Sequence, residues 1–136
     1  MYYIKSSDAG KTFTTARKLG TDTWKLNGCP MDDGGIKIDQ LNVIRITWQC
    51  KGFVYYCKPN EPEINIGNGR ICDFSISGTN TVVTYQDWDD IEAISVQNKK
   101  TIEIGKGNFV KAILLSDNNT LYVWEQDDEI KFKKTG

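Results

Sequence analysis

Short runs of alternating apolar and polar residues follow one another along the chain, separated by polar turns. The clearest pair is Glu63–Gly69 and Thr101–Gly107, which lie 38 residues apart and both end in Gly-x-Gly. Alternation with a period of two is typical of half-buried β-strands. No long stripe with helical spacing occurs between these runs. The pattern therefore predicts an all-β protein built from a repeated unit.

An aromatic residue marks the same point in each unit. Trp48, Tyr85 and Trp124 lie 37 and then 39 residues apart, and each follows a turn rich in polar residues. In the second unit, strands are predicted at residues 70–77, 81–87, 91–97 and 100–104. Four short strands in about 40 residues are typical of a β-propeller blade. A β-sandwich with accidental self-similarity is the alternative. The three aromatic rings are predicted to pack in the core or between blades.

The repeat divides the 136 residues into a single domain of about three antiparallel, four-stranded blades. Its predicted parts are residues 1–20 with outer strands at 1–8 and 12–19, the blades 35–67 and 70–105, and the incomplete blade 109–136. Three blades form an open arc with exposed edges. The sequence therefore predicts either a homodimer that closes a six-bladed propeller around a two-fold axis, or a fragment of a longer propeller.

Composition narrows the functions that remain. The chain has 17 Lys and Arg against 18 Asp and Glu, a balance that indicates no nucleic-acid partner. No apolar run reaches the roughly 18 residues of a membrane-spanning helix, so no membrane partner is predicted. The chain contains no histidine. This absence excludes Ser-His-Asp and Cys-His catalysis, and leaves Asp, Glu, Tyr, Lys and Cys as the side chains for any reaction.

Four cysteines, Cys29, Cys50, Cys57 and Cys72, lack the Cys-x-x-Cys spacing that is common in zinc sites. Buried free thiols are expected in a cytosolic protein, and one or two disulfides in an exported one. The first residues show no signal-peptide pattern. The compartment therefore stays open.

One predicted turn carries a motif, Ser6-Ser7-Asp8-Ala9-Gly10-Lys11-Thr12-Phe13. The motif resembles the Asp box, or BNR repeat, of sialidase-like β-propellers. The chemistry suits a hairpin, because Asp8 can accept backbone N–H bonds and Gly10 can adopt a positive φ. Thr12 favours the returning strand, and Phe13 is expected to pack between blades. The resemblance implies a structural role for Ser6, Asp8, Gly10, Thr12 and Phe13, since Asp boxes lie opposite the active site.

The resemblance does not supply a sialidase site. Sialidases share an Arg triad, a Tyr–Glu nucleophile pair and an Asp acid/base. The chain has three arginines, Arg17, Arg45 and Arg70, and only Arg70, at the start of an inner strand, is placed to face a ligand. No catalytic residue is therefore assigned. The resemblance is compatible with a secreted or periplasmic protein.

Acidic loops converge on one predicted face, made by the turns between the second and third strands and by the links between blades. The candidate ligand-binding residues there are Trp24, Asp32, Asp33, Arg70, Asp87, Trp88, Asp89 and Asp90. A tryptophan beside carboxylates can stack on a sugar and hydrogen-bond it. Carboxylates with loop carbonyls can instead hold Ca²⁺, and no other cofactor is indicated. Solvated acidic loops without a ligand are the alternative to both.

The sequence thus predicts a non-catalytic module that binds a glycan or a protein on this face of a homodimer. One alternative is a sialidase-like glycoside hydrolase whose paired carboxylates come from two subunits. Another is a structural remnant of a longer propeller, without a ligand.

Overall fold

The computed structural model describes residues 1–21, 23, 25, 34–116 and 119–136. These residues form thirteen strands in four antiparallel sheets. They contain no helix, and hence no helix that could cross a membrane. The prediction of an all-β protein is confirmed.

The sheets follow one another in chain order. Within each sheet, every strand pairs with the strand next to it in sequence. Sheet 1 contains β1 (Tyr2–Tyr3) and β2 (Arg17–Lys18). Sheet 2 contains β3 (Gly35–Ile38), β4 (Ile44–Cys50), β5 (Phe53–Cys57) and β6 (Ile64–Asn68). Sheet 3 contains β7 (Arg70–Ser77), β8 (Asn80–Asp87), β9 (Asp90–Ser95) and β10 (Thr101–Lys106). Sheet 4 contains β11 (Asn108–Leu114), β12 (Thr120–Gln126) and β13 (Glu129–Thr135).

The strand bounds agree with the sequence pattern in sheet 3 and differ from it in sheet 1. In sheet 3 every strand begins and ends within two residues of its predicted bounds. The strands predicted at 1–8 and 12–19 are only two residues long each. Backbone hydrogen bonds extend their hairpin, from Leu19 N to Met1 O at 3.0 Å and from Thr14 N to Lys5 O at 2.9 Å. The strands are short because no third strand of the described chain pairs with them, and isolated hairpins are only marginally stable.

Apolar side chains pack between successive sheets in three clusters. Between sheets 1 and 2 these are Leu19, Ile46, Trp48, Cys50 and Cys57. Between sheets 2 and 3 they are Val54, Tyr56, Ile66, Cys72, Phe74, Val83 and Tyr85. Between sheets 3 and 4 they are Val82, Ile91, Ala93, Ile104, Val110, Ala112, Tyr122 and Trp124. Each sheet therefore has a front face, toward the preceding sheet, and a back face, toward the following one.

The recurring aromatic residues all lie on front faces, where they are buried. A Cβ on Gly67 would lie 2.7 Å from the Tyr85 hydroxyl oxygen, and a Cβ on Gly105 would lie 3.1 Å from Trp124 Cζ2. The first glycine of each Gly-x-Gly thus leaves room for the aromatic ring of the next sheet.

An almost buried arginine on the back of sheet 2 joins that sheet to sheet 3. Arg45 donates to Asp39 Oδ2 through Nε at 3.0 Å and Nη2 at 2.7 Å. Its Nη1 donates to the Tyr56 hydroxyl at 3.1 Å and to Thr81 Oγ1 at 2.9 Å. The Val43 N–H and then the guanidinium lower the pKa of Asp39. The carboxylate therefore stays charged beside its cation, and the arginine spans the two sheets.

The described cysteines, Cys50, Cys57 and Cys72, are buried, and no disulfide joins any two of them. Cys57 Sγ lies 3.1 Å from the carbonyl oxygen of Lys58, and burial raises the pKa of this thiol. Cys29 lies outside the described residues.

The second glycine of the first Gly-x-Gly allows a stringent test of sheet packing. Gly69 has a φ of 151°, and a Cβ there would lie 2.7 Å from Gln86 O and 2.8 Å from Tyr85 Cδ2. We expect Gly69→Ala to lower the free energy of unfolding by about 2–4 kcal/mol, from backbone strain and overpacking together. Urea denaturation measures this loss.

Gly52 is the matched control. Its φ is also positive, at 82°, but a Cβ there would have no atom within 4 Å. Gly52→Ala should cost only about 1–2 kcal/mol of backbone strain. Equal losses at the two positions would contradict the steric explanation.

Candidate ligand-binding cleft

Four loops meet at one rim of the molecule. They are the turn between β4 and β5, the turn between β8 and β9, and the links that lead into β7 and β11. Backbone hydrogen bonds join each link to a turn: Gly69 N donates to Gly52 O at 2.9 Å, and Gly107 N to Asp89 O at 2.8 Å. The loops of this rim are therefore held against one another by the backbone.

Between sheets 2 and 3 the rim opens into a cleft of about 320 Å³. The residues that line it are Gln49, Gly52, Asn68, Gly69, Arg70, Gln86, Asp87 and Trp88. Three residues singled out from the sequence, Arg70, Asp87 and Trp88, thus come together. Two further side chains, Gln49 and Gln86, were not anticipated.

Trp88 lies in the β8–β9 turn and is 82% exposed. Its φ of 56° is uncommon and strained for a bulky side chain. The Gln86 side chain holds the turn, since Nε2 donates to the Trp88 carbonyl oxygen at 2.6 Å. An exposed indole on a fixed turn can offer its face to a flat apolar ligand surface.

Two glutamines among the lining residues have buried acceptor atoms. Gln86 is 1% exposed. The Oε1 atoms of Gln49 and Gln86 are buried and receive no hydrogen bond from any described residue. A buried acceptor without a donor costs about 1–3 kcal/mol.

The repeat contains a signal that could have identified the two glutamines. Each follows a recurring aromatic position, in Trp48-Gln49 and Tyr85-Gln86, and Glu125 follows Trp124. Position in the repeat therefore marks a polar side chain at the same strand end in all three sheets. The pattern alone does not show that two of them share a cleft.

Arg70 begins β7 opposite Gln86 in the strand ladder. Its side chain is exposed and forms no ion pair with any described residue. Asn108 holds the equivalent place in sheet 4, opposite Glu125. There the Gln86 Nε2 donates to Asn108 Oδ1 at 2.7 Å. At this place the contact between sheets 3 and 4 is a neutral hydrogen bond between two amides. The equivalent place between sheets 2 and 3 holds the Arg70 guanidinium.

Of the other predicted ligand-binding residues, the described Asp89 and Asp90 are not among those that line this cleft. Lys106 Nζ lies 3.3 Å from Asp89 Oδ2 and 2.7 Å from Asp90 Oδ1, and the nearer Asp90 carboxylate is the main cause of the raised pKa of Lys106. Trp24, Asp32 and Asp33 lie outside the described residues. Within the described ranges no group of three or more His, Cys, Asp or Glu side chains could hold a metal ion.

The loop between β1 and β2 closes around the Asp8 carboxylate. Thr12 donates to it twice, from N to Oδ1 at 2.9 Å and from Oγ1 to Oδ2 at 2.7 Å. The Ser6 hydroxyl donates to Oδ1 at 2.8 Å and accepts from Gly10 N, also at 2.8 Å. Gly10 has a φ of 85°. These contacts hold the loop together without help from the rest of the chain.

This loop lies away from the cleft. Lys5 and Thr14, at its base, share a groove with Asn42 and Asn60, which belong to turns at the other ends of the sheet 2 strands. Phe13 is more than half exposed in the single chain, and its packing between blades stays a prediction. Sheet 1 has only two short strands, and no described sheet lies in front of it.

The chain matches no family model, no curated protein and no solved structure. The resemblance to Asp-box propellers therefore stays a prediction, carried mainly by the residues from Ser6 to Phe13.

The hydrogen bonds of the Asp8 loop allow a prediction of how the Asp8 carboxyl group titrates. Its hydrogen bonds, with the Thr12 hydroxyl first among them, lower the pKa of Asp8 from 3.8 to about 2. The ionised carboxylate favours the folded loop, so its stabilising effect is complete above pH 3.8 and is lost as the pH falls through about 2. Thr12→Val removes the hydroxyl donor and keeps the N–H, so the pKa should rise toward 3.8, as measured by NMR of the carboxyl carbon.

Thr14→Val is the control for this titration, because Thr14 Oγ1 accepts from Lys5 N and is not bonded to Asp8. It should leave the Asp8 pKa unchanged. If Thr12→Val also leaves it unchanged, the hydroxyl does not hold the carboxylate.

Proposed function

We propose that this protein is a non-catalytic carbohydrate-binding module, whose saccharide binds in the cleft between sheets 2 and 3. The observation that carries the proposal is Trp88, an exposed indole on a strained turn, beside the exposed side chains of Arg70 and Asp87 in the same cleft. A sugar ring has an apolar face bordered by hydroxyl groups. The indole suits the face, and the Arg70 guanidinium and the Asp87 carboxylate suit the hydroxyl groups.

We further propose that sheets 2, 3 and 4 are successive blades of a β-propeller, and that two copies of the chain close six blades. Support comes from the order of strands within each sheet and from the front-to-back packing of successive sheets. The sugar cleft then lies on the face made by the turns between second and third strands.

Glycoside hydrolysis is the second candidate function, and the described cleft favours binding instead. Hydrolysis uses two carboxyl groups about 5–10 Å apart. Among its described lining residues the cleft has one carboxylate, that of Asp87. Binding requires only the groups already present, whereas hydrolysis would need a second carboxylate from elsewhere.

The proposal is tested with a glycan array, followed by calorimetric titration of the saccharide that binds best. Trp88→Ala should weaken binding about tenfold or more, as removal of an aromatic anchor commonly does. Asp127→Ala is the matched control, because Asp127 holds the same turn position in sheet 4 and also has a positive φ, of 53°. This variant should bind like the unaltered protein.

A second variant tests the polar side of the cleft. Arg70→Asn introduces the residue type that sheet 4 has at this place, and it should also reduce affinity, by about threefold or more, since a charge-assisted hydrogen bond is lost. Absence of saccharide binding, or equal affinity of Trp88→Ala and the unaltered protein, would refute the proposal. Release of reducing sugar during the titration would favour the hydrolase.

A further inference from the structure

Apolar side chains are exposed on sheet 4, the last sheet of the row, and on the front of sheet 2, which the two-stranded sheet 1 covers only in part. On the back of sheet 4, Ile130 and Phe132 are 72% and 76% exposed. On the front of sheet 2, Ile36 and Ile38 are 62% and 61% exposed. Contiguous exposed apolar surface of this kind is typical of interaction sites.

A contact between back and front faces occurs twice within the chain. Between sheets 2 and 3, the Tyr56 ring packs edge-on against the Phe74 ring, with centroids 6.1 Å apart. Between sheets 3 and 4, Ala93 and Ala112 belong to one buried cluster. In both cases the first residue lies on the third strand of one sheet, and the second lies on the first strand of the next.

The strand registers show that these are equivalent places. Tyr56 and Ala93 pair with Thr47 and Thr84, the residues just before the recurring aromatic positions. The residue of sheet 4 in this place is Phe132, which pairs with Val123.

The same holds for the first strands. Phe74 and Ala112 pair with Val83 and Tyr122, two residues before the recurring aromatic positions. The residue of sheet 2 in this place is Ile36, which pairs with Ile46. Phe132, on the back of sheet 4, and Ile36, on the front of sheet 2, are thus the residues that would form a third contact of the same kind.

We propose that sheet 4 of one copy docks with its back face on the front of sheet 2 in a second copy, so that Phe132 packs against Ile36 of that copy. A second copy is the occupant because the chain carries both halves of the missing contact. Each copy supplies what the other lacks, and two such contacts close a pair around a two-fold axis. The inference rests on the proposed propeller packing and is independent of the sugar.

The docking surface is continuous with an existing interface. Ile36 lies beside Ile46, which is buried in the cluster between sheets 1 and 2. Both residues line an apolar recess of about 320 Å³, together with residues 1–4. A docked sheet would therefore extend a core that is already formed.

The experiment is light scattering on a sizing column over a range of concentrations. The expected mass is twice the 15.4 kDa of one chain. Ile36→Lys and Phe132→Glu should each raise the dimer dissociation constant about tenfold or more, because a charge would be buried without a partner. Both residues are exposed in the single chain, so circular dichroism should show folded variants.

An equimolar mixture of the two single variants tests the contact itself. In the mixed pair one interface has the unaltered residues and the other pairs Lys with Glu, so the dimer mass should return. Leu41→Lys is the control, since Leu41 is exposed in the turn between β3 and β4. It should leave the dimer unchanged.

A monomer at all concentrations, or open oligomers larger than two, would overturn the proposal. Failure of the mixture to recover the dimer would overturn the contact between Phe132 and Ile36. Titration of the same samples with saccharide separates the two proposals: a monomer that binds sugar refutes the docking alone, and a dimer that binds none refutes the sugar cleft alone.

Discussion

Burial of both faces of each sheet is the constraint on which this structure depends. Val82 and Val83 are neighbours on β8 and point to opposite faces, yet both are buried, one in the cluster with sheet 4 and the other in the cluster with sheet 2. Removal of apolar surface from water contributes about 25 cal/mol per Å². A sheet with two apolar faces therefore needs a neighbour on each side, and the front of sheet 2 and the back of sheet 4 are where this requirement is incompletely met.

The close spacing of the sheets depends on residues that leave room as much as on residues that fill it. Gly67 and Gly105 admit the aromatic rings of the next sheet, because any side chain at these places would overlap them. Arg45 then spans the gap with charged hydrogen bonds, anchored by Asp39 on its own sheet and reaching Thr81 on the next. Packing and polar contacts thus specify the same relative position of sheets 2 and 3.

The candidate cleft lies where one unit departs from the repeat. Arg70 and Trp88 occupy places that Asn108 and Asp127 hold in the following unit. Trp88 and Asp127 share a positive φ, and in the second turn Asp128 has one as well. The difference in chemistry comes from the side chains. An amide contact between Gln86 and Asn108 fills the second place, whereas the first has the exposed indole of Trp88 and Arg70, which forms no ion pair with a described residue. A repeated scaffold can thus carry a single specific site.

Local pattern determined the all-β class, the strand positions of sheet 3 and the hydrogen bonds of the Asp8 loop, because alternation, turn residues and short-range polar contacts involve near neighbours in the chain. The pattern overestimated the length of the strands at 1–8 and 12–19, since strand length depends on whether a further strand pairs with them. It singled out Arg70, Asp87 and Trp88 for their chemistry. Only tertiary packing brought Gln49 to them and paired Asp89 and Asp90 with Lys106, because these contacts join residues that are far apart in the sequence.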